Sequence, residues 1–146
     1  MWVELTPEIL LAALSGPERD ALSRAAVGPA QEDALGEIAA NIAAEWRGGL
    51  RRVVRLDARP LYVPDELLTH ILADYRYRAF TRLPGMSRLL DEPRREEWRR
   101  ANAVRDNIHK LSIAPPDENN AETIENSGRP GPAIGNPKNP SKVTPW

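Results

Sequence analysis

The sequence contains no cysteine, two histidines and few aromatic residues, and each shortage excludes a class of chemistry. Without cysteine there is no disulfide, no thiolate nucleophile and no cysteine-based zinc site. With aromatic residues at 5% of the chain, the core must be built mainly from Leu, Ile, Val and Ala. No apolar run approaches the roughly 20 residues that cross a bilayer, and residues 1–7 lack the features of a secretory signal. We therefore expect a soluble protein that folds in a reducing cytoplasm.

Recognisable catalytic and cofactor-binding motifs are also missing. There is no HExxH, no glycine-rich phosphate loop and no GxSxG. His70 and His109 fall on different predicted helices, where a surface or subunit-contact role is favoured over a role as ligand or base. Acidic pairs such as Asp65-Glu66 are adjacent in sequence, so their side chains diverge by about 100° on a helix and do not converge on a substrate. We expect no enzymatic activity, no cofactor and no metal site.

The net charge of −1 hides an uneven distribution along the chain. Residues 1–40 carry two basic and seven acidic groups, whereas residues 41–110 carry fifteen basic and ten acidic groups. Such polarity suits head-to-tail contact between copies, or a basic face turned toward a polyanion. A solvated surface with locally uneven charge explains the same distribution.

Helical periodicity and helix-start signals run through the first 111 residues and predict an all-α bundle of about five helices. The predicted helices span residues 7–14, 17–26, 34–53, 64–83 and 93–111. The second of them is expected to end at Gly28-Pro29, a strong stop signal. The last helix is expected to bury one face, made of Trp98, Ala101, Val104, Ile108 and Leu111.

The third predicted helix has the clearest pattern. Its apolar residues recur at spacings of three and four from Leu35 to Val53, which is the signature of a core-facing stripe. Gly48-Gly49 weakens this pattern, and we expect a continuous helix with a weak point there. Residues 54–63 break the helical period and predict an extended loop with room for one or two short strands.

After Leu111 the composition changes. Residues 112–146 hold seven of the fourteen prolines and a single aromatic residue, Trp146. A segment so poor in large apolar groups does not offset its own ordering entropy. We therefore predict a helical domain of residues 1–111 and an extended Pro/Gly-rich arm of residues 112–146, whose removal leaves the bundle folded. The arm is either a partner-binding segment or a tail without function.

Arginine is concentrated in short runs on the predicted helices, at residues 51–55, 76–78 and 94–100. Arg interleaved with aromatic residues can hold phosphates or stack on bases. Acidic residues are threaded through the same helices, however, and the chain is not basic overall. Pairing of these arginines with acids of adjacent subunits is therefore favoured over sequence-specific DNA binding.

The order of features along the chain carries a resemblance to a known family. Short helices are followed by a long helix with Trp46-Arg47-Gly48, a loop ending in Val63-Pro64, a helix finishing in Arg82-Leu83-Pro84, an Arg-led final helix and a Pro/Gly-rich tail. This order resembles that of the head–tail connector, or adaptor, proteins of tailed phages. The resemblance covers about residues 5–135.

The resemblance implies a role, a location and a set of partners. Proteins of this family form a ring, often a dodecamer, beneath the portal, where they prolong the channel for double-stranded DNA and present a surface for a stopper or tail-completion protein. They belong to the virion neck and assemble in the host cytoplasm. Their carboxy-terminal arm reaches into clefts of the portal, and that role is carried over here to Pro115, Pro116, Ile124, Pro130, Pro132, Ile134, Pro137, Pro140 and Trp146. Six arginines are candidates for subunit contact or for facing the channel: Arg47, Arg51, Arg52, Arg76, Arg95 and Arg99.

Two alternatives stay open on the sequence alone. The first is another phage neck or tail-completion protein, such as a stopper or terminator, although those proteins tend to be β-rich. The second is a small helical DNA-binding regulatory protein whose tail recruits a partner. Gene neighbourhood separates them, because portal and capsid genes favour the adaptor and a divergent promoter favours the regulator.

Overall fold

The computed structural model describes residues 1–25 and 29–123, and for residues 29–33 the backbone alone. Within these ranges the chain is mostly helical, which confirms the predicted all-α fold class. Its α-helices are α1 (Pro7–Ala13), α2 (Gly16–Ala25), α3 (Pro29–Leu50), α4 (Leu68–Arg82) and α5 (Glu92–Asp106). Short 3-10 helices lie at Asp65–Leu67, Ser87–Leu89 and Ile108–Lys110.

Capping side chains set several helix starts. Thr6 and Asp91 each place a side-chain oxygen on a backbone N–H in the first turn of α1 and α5. Before α2, the hydroxyl of Ser15 accepts from the N–H of Glu18 at 3.3 Å, and the Glu18 carboxylate accepts from the N–H of Ser15 at 3.0 Å. This reciprocal capping box satisfies two backbone N–H groups at the start of α2.

Two predicted helices end earlier than the sequence pattern suggests. α3 is continuous through Gly48-Gly49, as predicted, but it ends at Leu50 and passes into a turn. α5 ends at Asp106 and is followed by the 3-10 helix Ile108–Lys110. Pro29 is the first residue of α3, whereas Gly28 of the predicted helix stop lies outside the described residues.

A short antiparallel sheet joins the start of the chain to the loop before α4. Strand β1 (Trp2–Glu4) pairs with β2 (Tyr62–Pro64), with Trp2 opposite Pro64. The sequence predicts extended chain near β2, but it gives no sign of β1, because a strand of three residues is too short to show an alternating pattern. The pairing brings the buried indole of Trp2 onto the helical body.

The core lies where α3 and α4 pack together, and α1 and α5 also pack against α4. Its largest fully buried side chains are Trp46, Tyr75 and Phe80. The Tyr75 hydroxyl donates to the carbonyl oxygen of Leu35 at 2.8 Å, so its polar end is satisfied. Burial, followed by the charge of Glu8, raises the pKa of Tyr75 well above its ordinary value.

The predicted buried face of the last helix is correct in part. Ala101 and Ile108 are buried, and Trp98 and Val104 are half-buried. Leu111 is 36% exposed, contrary to the prediction. The reason is that α5 stops before it, so the helical period no longer places residue 111 on the core side.

Residues 112–123, called the strap below, lie against the helical body. The carbonyl oxygen of Ala114 accepts from the Trp2 indole N–H at 3.0 Å, and its N–H donates to the Glu66 carboxylate at 3.0 Å. Pro116 is buried. The boundary predicted at residue 111 therefore separates helical from extended chain, but it does not mark where the chain leaves the body. Composition misses the strap because hydrogen bonds and ion pairs hold much of it.

Candidate interaction surfaces

Arg47 ties the last turns of α3 to the loop that leads to α4. Its side chain is 8% exposed, and its guanidinium group donates to the carbonyl oxygens of Tyr62 at 2.8 Å and Asp57 at 2.7 Å. Burial lowers the pKa of Arg47, while the nearby carboxylates of Glu122 and Asp57 act in the opposite direction. The group stays charged in any ordinary buffer, so it needs negative charge close by.

Glu122 on the strap supplies part of that charge. Its carboxylate lies 2.9 Å from Arg51 Nη1 and 3.9 Å from Arg47 Nη2. Arg55 Nε donates to the backbone carbonyl oxygen of Glu122 at 2.6 Å. We call Arg47, Arg51 and Arg55 the arginine cradle, since together they surround one residue of the strap.

Backbone pairing holds the same part of the strap. Asp57 and Ala121 form an isolated antiparallel bridge. On either side of it, the N–H of Ala58 donates to the carbonyl oxygen of Asn120 at 2.6 Å, and the N–H of Glu122 donates to that of Leu56 at 2.8 Å. The strap thus adds a short strand-like edge beside the arginine cradle.

A second cluster surrounds Asp74, a fully buried carboxylate on α4. It accepts from the indole N–H groups of Trp46 at 3.1 Å and Trp98 at 3.3 Å. Guanidinium groups reach it as well, from Arg78 at 3.0 Å and Arg105 at 3.2 Å. One side chain therefore binds α3, α4 and α5 together, and we call these five residues the Asp74 cluster.

Glu45 compensates the Asp74 cluster from its solvent side. Its two oxygens accept from Arg78 at 2.7 and 2.8 Å, and one of them also accepts from Arg105 at 3.2 Å. The hydrogen bonds from Arg78, which outweigh burial, lower the pKa of Glu45, and the same bonds raise the pKa of Arg78. Two carboxylates thus balance two guanidinium groups.

A third cluster joins α2 to α4 and α5. Glu18 accepts from Arg94 in a bidentate pair at 2.7 and 2.8 Å. Glu97 accepts from Arg94 at 2.9 Å and from Arg76 at 3.2 Å. Burial lowers the pKa of Arg76, and its exposed fraction is 6%. Carboxylate charge on α2 and α5 compensates both guanidinium groups.

The six candidate arginines fall into two settings. Arg47 and Arg76, which were predicted to face a neighbour or a channel, are buried and form hydrogen bonds within the chain. Sequence periodicity cannot tell a solvated guanidinium group from one that is buried and paired. The other four are exposed: Arg51, Arg52, Arg95 and Arg99. Of these, Arg51 pairs with Glu122, and Arg99 pairs with acids of its own helix.

The structure describes two of the nine predicted arm positions. Pro115 is exposed on the strap, and Pro116 is buried against the body. The remaining seven lie outside the described residues: Ile124, Pro130, Pro132, Ile134, Pro137, Pro140 and Trp146.

A groove of about 330 Å³ lies between α4 and α5. Tyr77 and Trp98 line it as a stacked pair, with ring centroids 3.9 Å apart and planes inclined by 8°. Arg95 and Arg99 also line it. Sequence reasoning named both arginines but not the aromatic pair, although the interleaving of Arg and aromatic residues in two of the runs was the available signal.

Sequence reasoning did not single out the carboxylates at the centres of these clusters. Asp74 had one usable signal, since Arg78 follows it by four residues on the same helix. Glu18 had another, because Ser15 and Glu18 have the spacing of a capping box. Glu122 had none, because its partners lie far away in the sequence.

Among the described side chains, those of residues 1–25 and 34–123, no group of three or more His, Asp or Glu is arranged to hold a metal ion. No helix in residues 1–25 and 29–123 has the length and apolar character needed to cross a membrane. No family model, curated protein or solved structure matches this chain. The interaction surfaces must therefore be interpreted from their own chemistry.

Proposed function

We propose that this chain is a structural, non-catalytic subunit of a tailed-phage head–tail adaptor. In this proposal its copies form a ring beneath the portal, extend the channel for double-stranded DNA, and present a docking surface to a stopper or tail-completion protein. The ring would assemble in the host cytoplasm and remain in the virion neck.

The observation that carries the proposal is the strap at the edge of a helical body. The strap begins at residue 112, contains a turn at residues 118–120, and ends its described course at Thr123. The proline-rich residues 124–146 continue from that point. A helical body followed by a long segment able to reach a second protein suits a subunit that joins two larger assemblies.

The distribution of charge gives further support. Most Arg side chains in the described clusters bond to carboxylates or carbonyl oxygens of their own chain. A channel lining must let DNA pass, and each uncompensated Arg that contacts a phosphate strengthens binding. A surface of compensated charge therefore suits a conduit better than it suits a sequence-specific DNA reader.

The test is reconstitution with the portal protein encoded in the same genome. The full chain and a version ending at residue 123, which keeps the strap, would each be mixed with the portal and imaged by electron microscopy. We expect the full chain to seat a ring on the portal and the shortened chain to lose it. If the full chain does not associate, stays a monomer and shifts a DNA fragment, the proposal fails and a helical regulator is favoured.

A further inference from the structure

We propose that Glu122 is an anchor, held in the arginine cradle, that fixes the end of the strap against the body just before the proline-rich residues 124–146. Portal docking in this view requires the anchored strap, which makes Glu122 a positioning residue. This inference rests on the proposed function, because it names the residue that aims the arm.

The cradle is selective for a carboxylate because of Arg47. This buried cation donates hydrogen bonds to two carbonyl oxygens. Because those acceptors are neutral, the cation still needs negative charge nearby. The closest carboxylate in the loop, that of Asp57, is already bound by Arg59 at 2.7 and 2.9 Å. Glu122 is the acid that approaches both Arg47 and Arg51. An uncharged side chain in its place would leave the cradle with excess positive charge.

The anchor is also reversible. One backbone bridge and its two flanking hydrogen bonds pair the strap with residues 56–58. The Arg51 side chain is 61% exposed and that of Glu122 is 31% exposed, so salt screens part of their attraction. We therefore expect the Glu122 end of the strap to exchange between an anchored and a released state. If the portal binds only the anchored state, the apparent affinity falls in proportion to the anchored fraction.

The first experiment compares Glu122→Gln with Glu118→Gln. Glu118 lies on the same strap and is exposed, so its substitution removes the same charge without touching the cradle. Hydrogen exchange of the strap amides, measured without the portal, should rise in Glu122→Gln and not in Glu118→Gln. We expect the anchoring equilibrium to shift toward release by up to about fivefold, so that portal affinity falls by up to about fivefold in Glu122→Gln alone.

The second experiment locks the anchored state with a disulfide. The chain contains no cysteine, so Ala58→Cys and Asn120→Cys introduce a single pair. The two positions flank the Asp57–Ala121 bridge on the same side, where the N–H of Ala58 donates to the carbonyl oxygen of Asn120. Residues joined in this way in an antiparallel ladder have Cα atoms about 5.5 Å apart, a spacing that a disulfide can span. In the Glu122→Gln background, oxidation should restore portal affinity to the unmodified level, and reduction should abolish the gain.

The possible outcomes distinguish a failure of the anchor from a failure of the proposed function. If no version binds the portal, the adaptor function fails, while exchange in the strap still tests the anchor by itself. Unchanged exchange in Glu122→Gln overturns the anchor. Wild-type portal affinity in Glu122→Gln also overturns it, as does loss of affinity on oxidation of the cysteine pair, and both results leave the adaptor function intact.

Discussion

Two carboxylates in this molecule meet arginines in opposite surroundings. Asp74 is fully buried, and its partners are two guanidinium groups and two indole N–H groups. The side chain of Glu122 is 31% exposed, and it holds an extended segment against the body edge. Carboxylate–arginine pairing therefore joins helices in one place and holds the strap in the other. How deeply the carboxylate is buried distinguishes the two cases.

The difference in depth sets the expected energies. Removing one partner of a buried, hydrogen-bonded ion pair costs about 3–5 kcal/mol, because it leaves an uncompensated charge. An exposed pair contributes about 0–1 kcal/mol, because water already solvates both groups. The Asp74 cluster should therefore control whether the helices stay together, whereas the arginine cradle should control the position of the strap.

The largest expected effect is that of Asp74→Ala. Loss of the carboxylate leaves two indole N–H groups without an acceptor. It also leaves the charges of Arg78 and Arg105 less compensated near the core. We expect unfolding free energy to fall by about 3 kcal/mol, the lower end of the range for buried pairs, because both arginines are partly exposed. Urea denaturation followed by circular dichroism measures it.

Glu45→Gln is the matched control for Asp74→Ala. It removes a carboxylate from the same two arginines, but on the solvent side, where the Glu45 side chain is 48% exposed. We expect a loss below about 1 kcal/mol. Equal losses of unfolding free energy in the two variants would show that burial of the carboxylate does not set the energy of these pairs.

The next largest effect concerns the strap as a whole. A chain ending at residue 111 loses the carbonyl acceptor of the Trp2 indole, the buried Pro116 and the Glu122 pair, whereas a chain ending at residue 123 keeps them. We expect both to fold as helical bundles and the shorter one to be less stable by about 2 kcal/mol, since one buried donor loses its partner and some apolar surface is exposed. Coincident melting curves would show that the strap adds nothing to the fold.

The helices of the body were predictable because their signals are local. Apolar spacing located α3, α4 and α5, and the cap at Thr6 located the start of α1. Helix ends were less predictable, since Leu50 and Asp106 end helices where the apolar pattern still continues. The two ends meet in the fold, where the side chain of Ile108 packs beside Gly49, and local spacing carries no signal of that contact.

The interaction surfaces were much less predictable, because they join residues distant in sequence. Glu18 and Arg94 belong to different helices, as do Trp46 and Asp74. Spacing arguments detect partners three or four residues apart, so they found Arg-rich faces but not the acids that pair with them. The strap was missed for a related reason, since its low apolar content hid the hydrogen bonds that hold it.

A smaller effect comes from acid. Burial alone would raise the pKa of Glu18, but hydrogen bonds from Arg94 and Ser15, with the charge of Arg94, lower it below its ordinary value of 4.5. A lowered folded-state pKa means that this carboxylate stabilises the fold above pH 4.5 and that the contribution is lost as pH falls through the folded value. We expect Glu18→Gln to cost about 1–2 kcal/mol at pH 7 and to flatten the loss of stability below pH 4.5.

Thermal melts of both proteins across that acidic range measure the effect. The carboxylates of Glu45 and Asp57 also have lowered pKa values, caused first by hydrogen bonds from Arg78 and Arg59, so some acid sensitivity should remain in Glu18→Gln. If stability falls with pH in parallel for the two proteins, Glu18 behaves as a surface acid. The third cluster would then resemble the exposed arginine cradle in its energies and not the buried Asp74 cluster.

The smallest effect tests the boundary between the body and the strap. A Cβ on Gly49 would lie 3.1 Å from Cγ2 of Ile108, in the turn just before the strap, whereas a Cβ on Gly48 would meet nothing within 4 Å. Gly48→Ala should therefore stabilise the protein by about 0.5–1 kcal/mol through helix propensity alone. In Gly49→Ala the same gain is opposed by crowding, and we expect net destabilisation of about 1 kcal/mol.

Denaturation of the two alanine variants gives the comparison, and Ile108→Ala supplies its control. In that background the obstructing methyl group is gone, so Gly49→Ala should become as favourable as Gly48→Ala. If Gly49→Ala is already favourable in the unmodified chain, Ile108 yields to the new methyl group. The turn that leads into the strap would then be less rigidly packed than the adjoining core. The boundary between the rigid body and the strap would lie at Ile108 and not after Leu111.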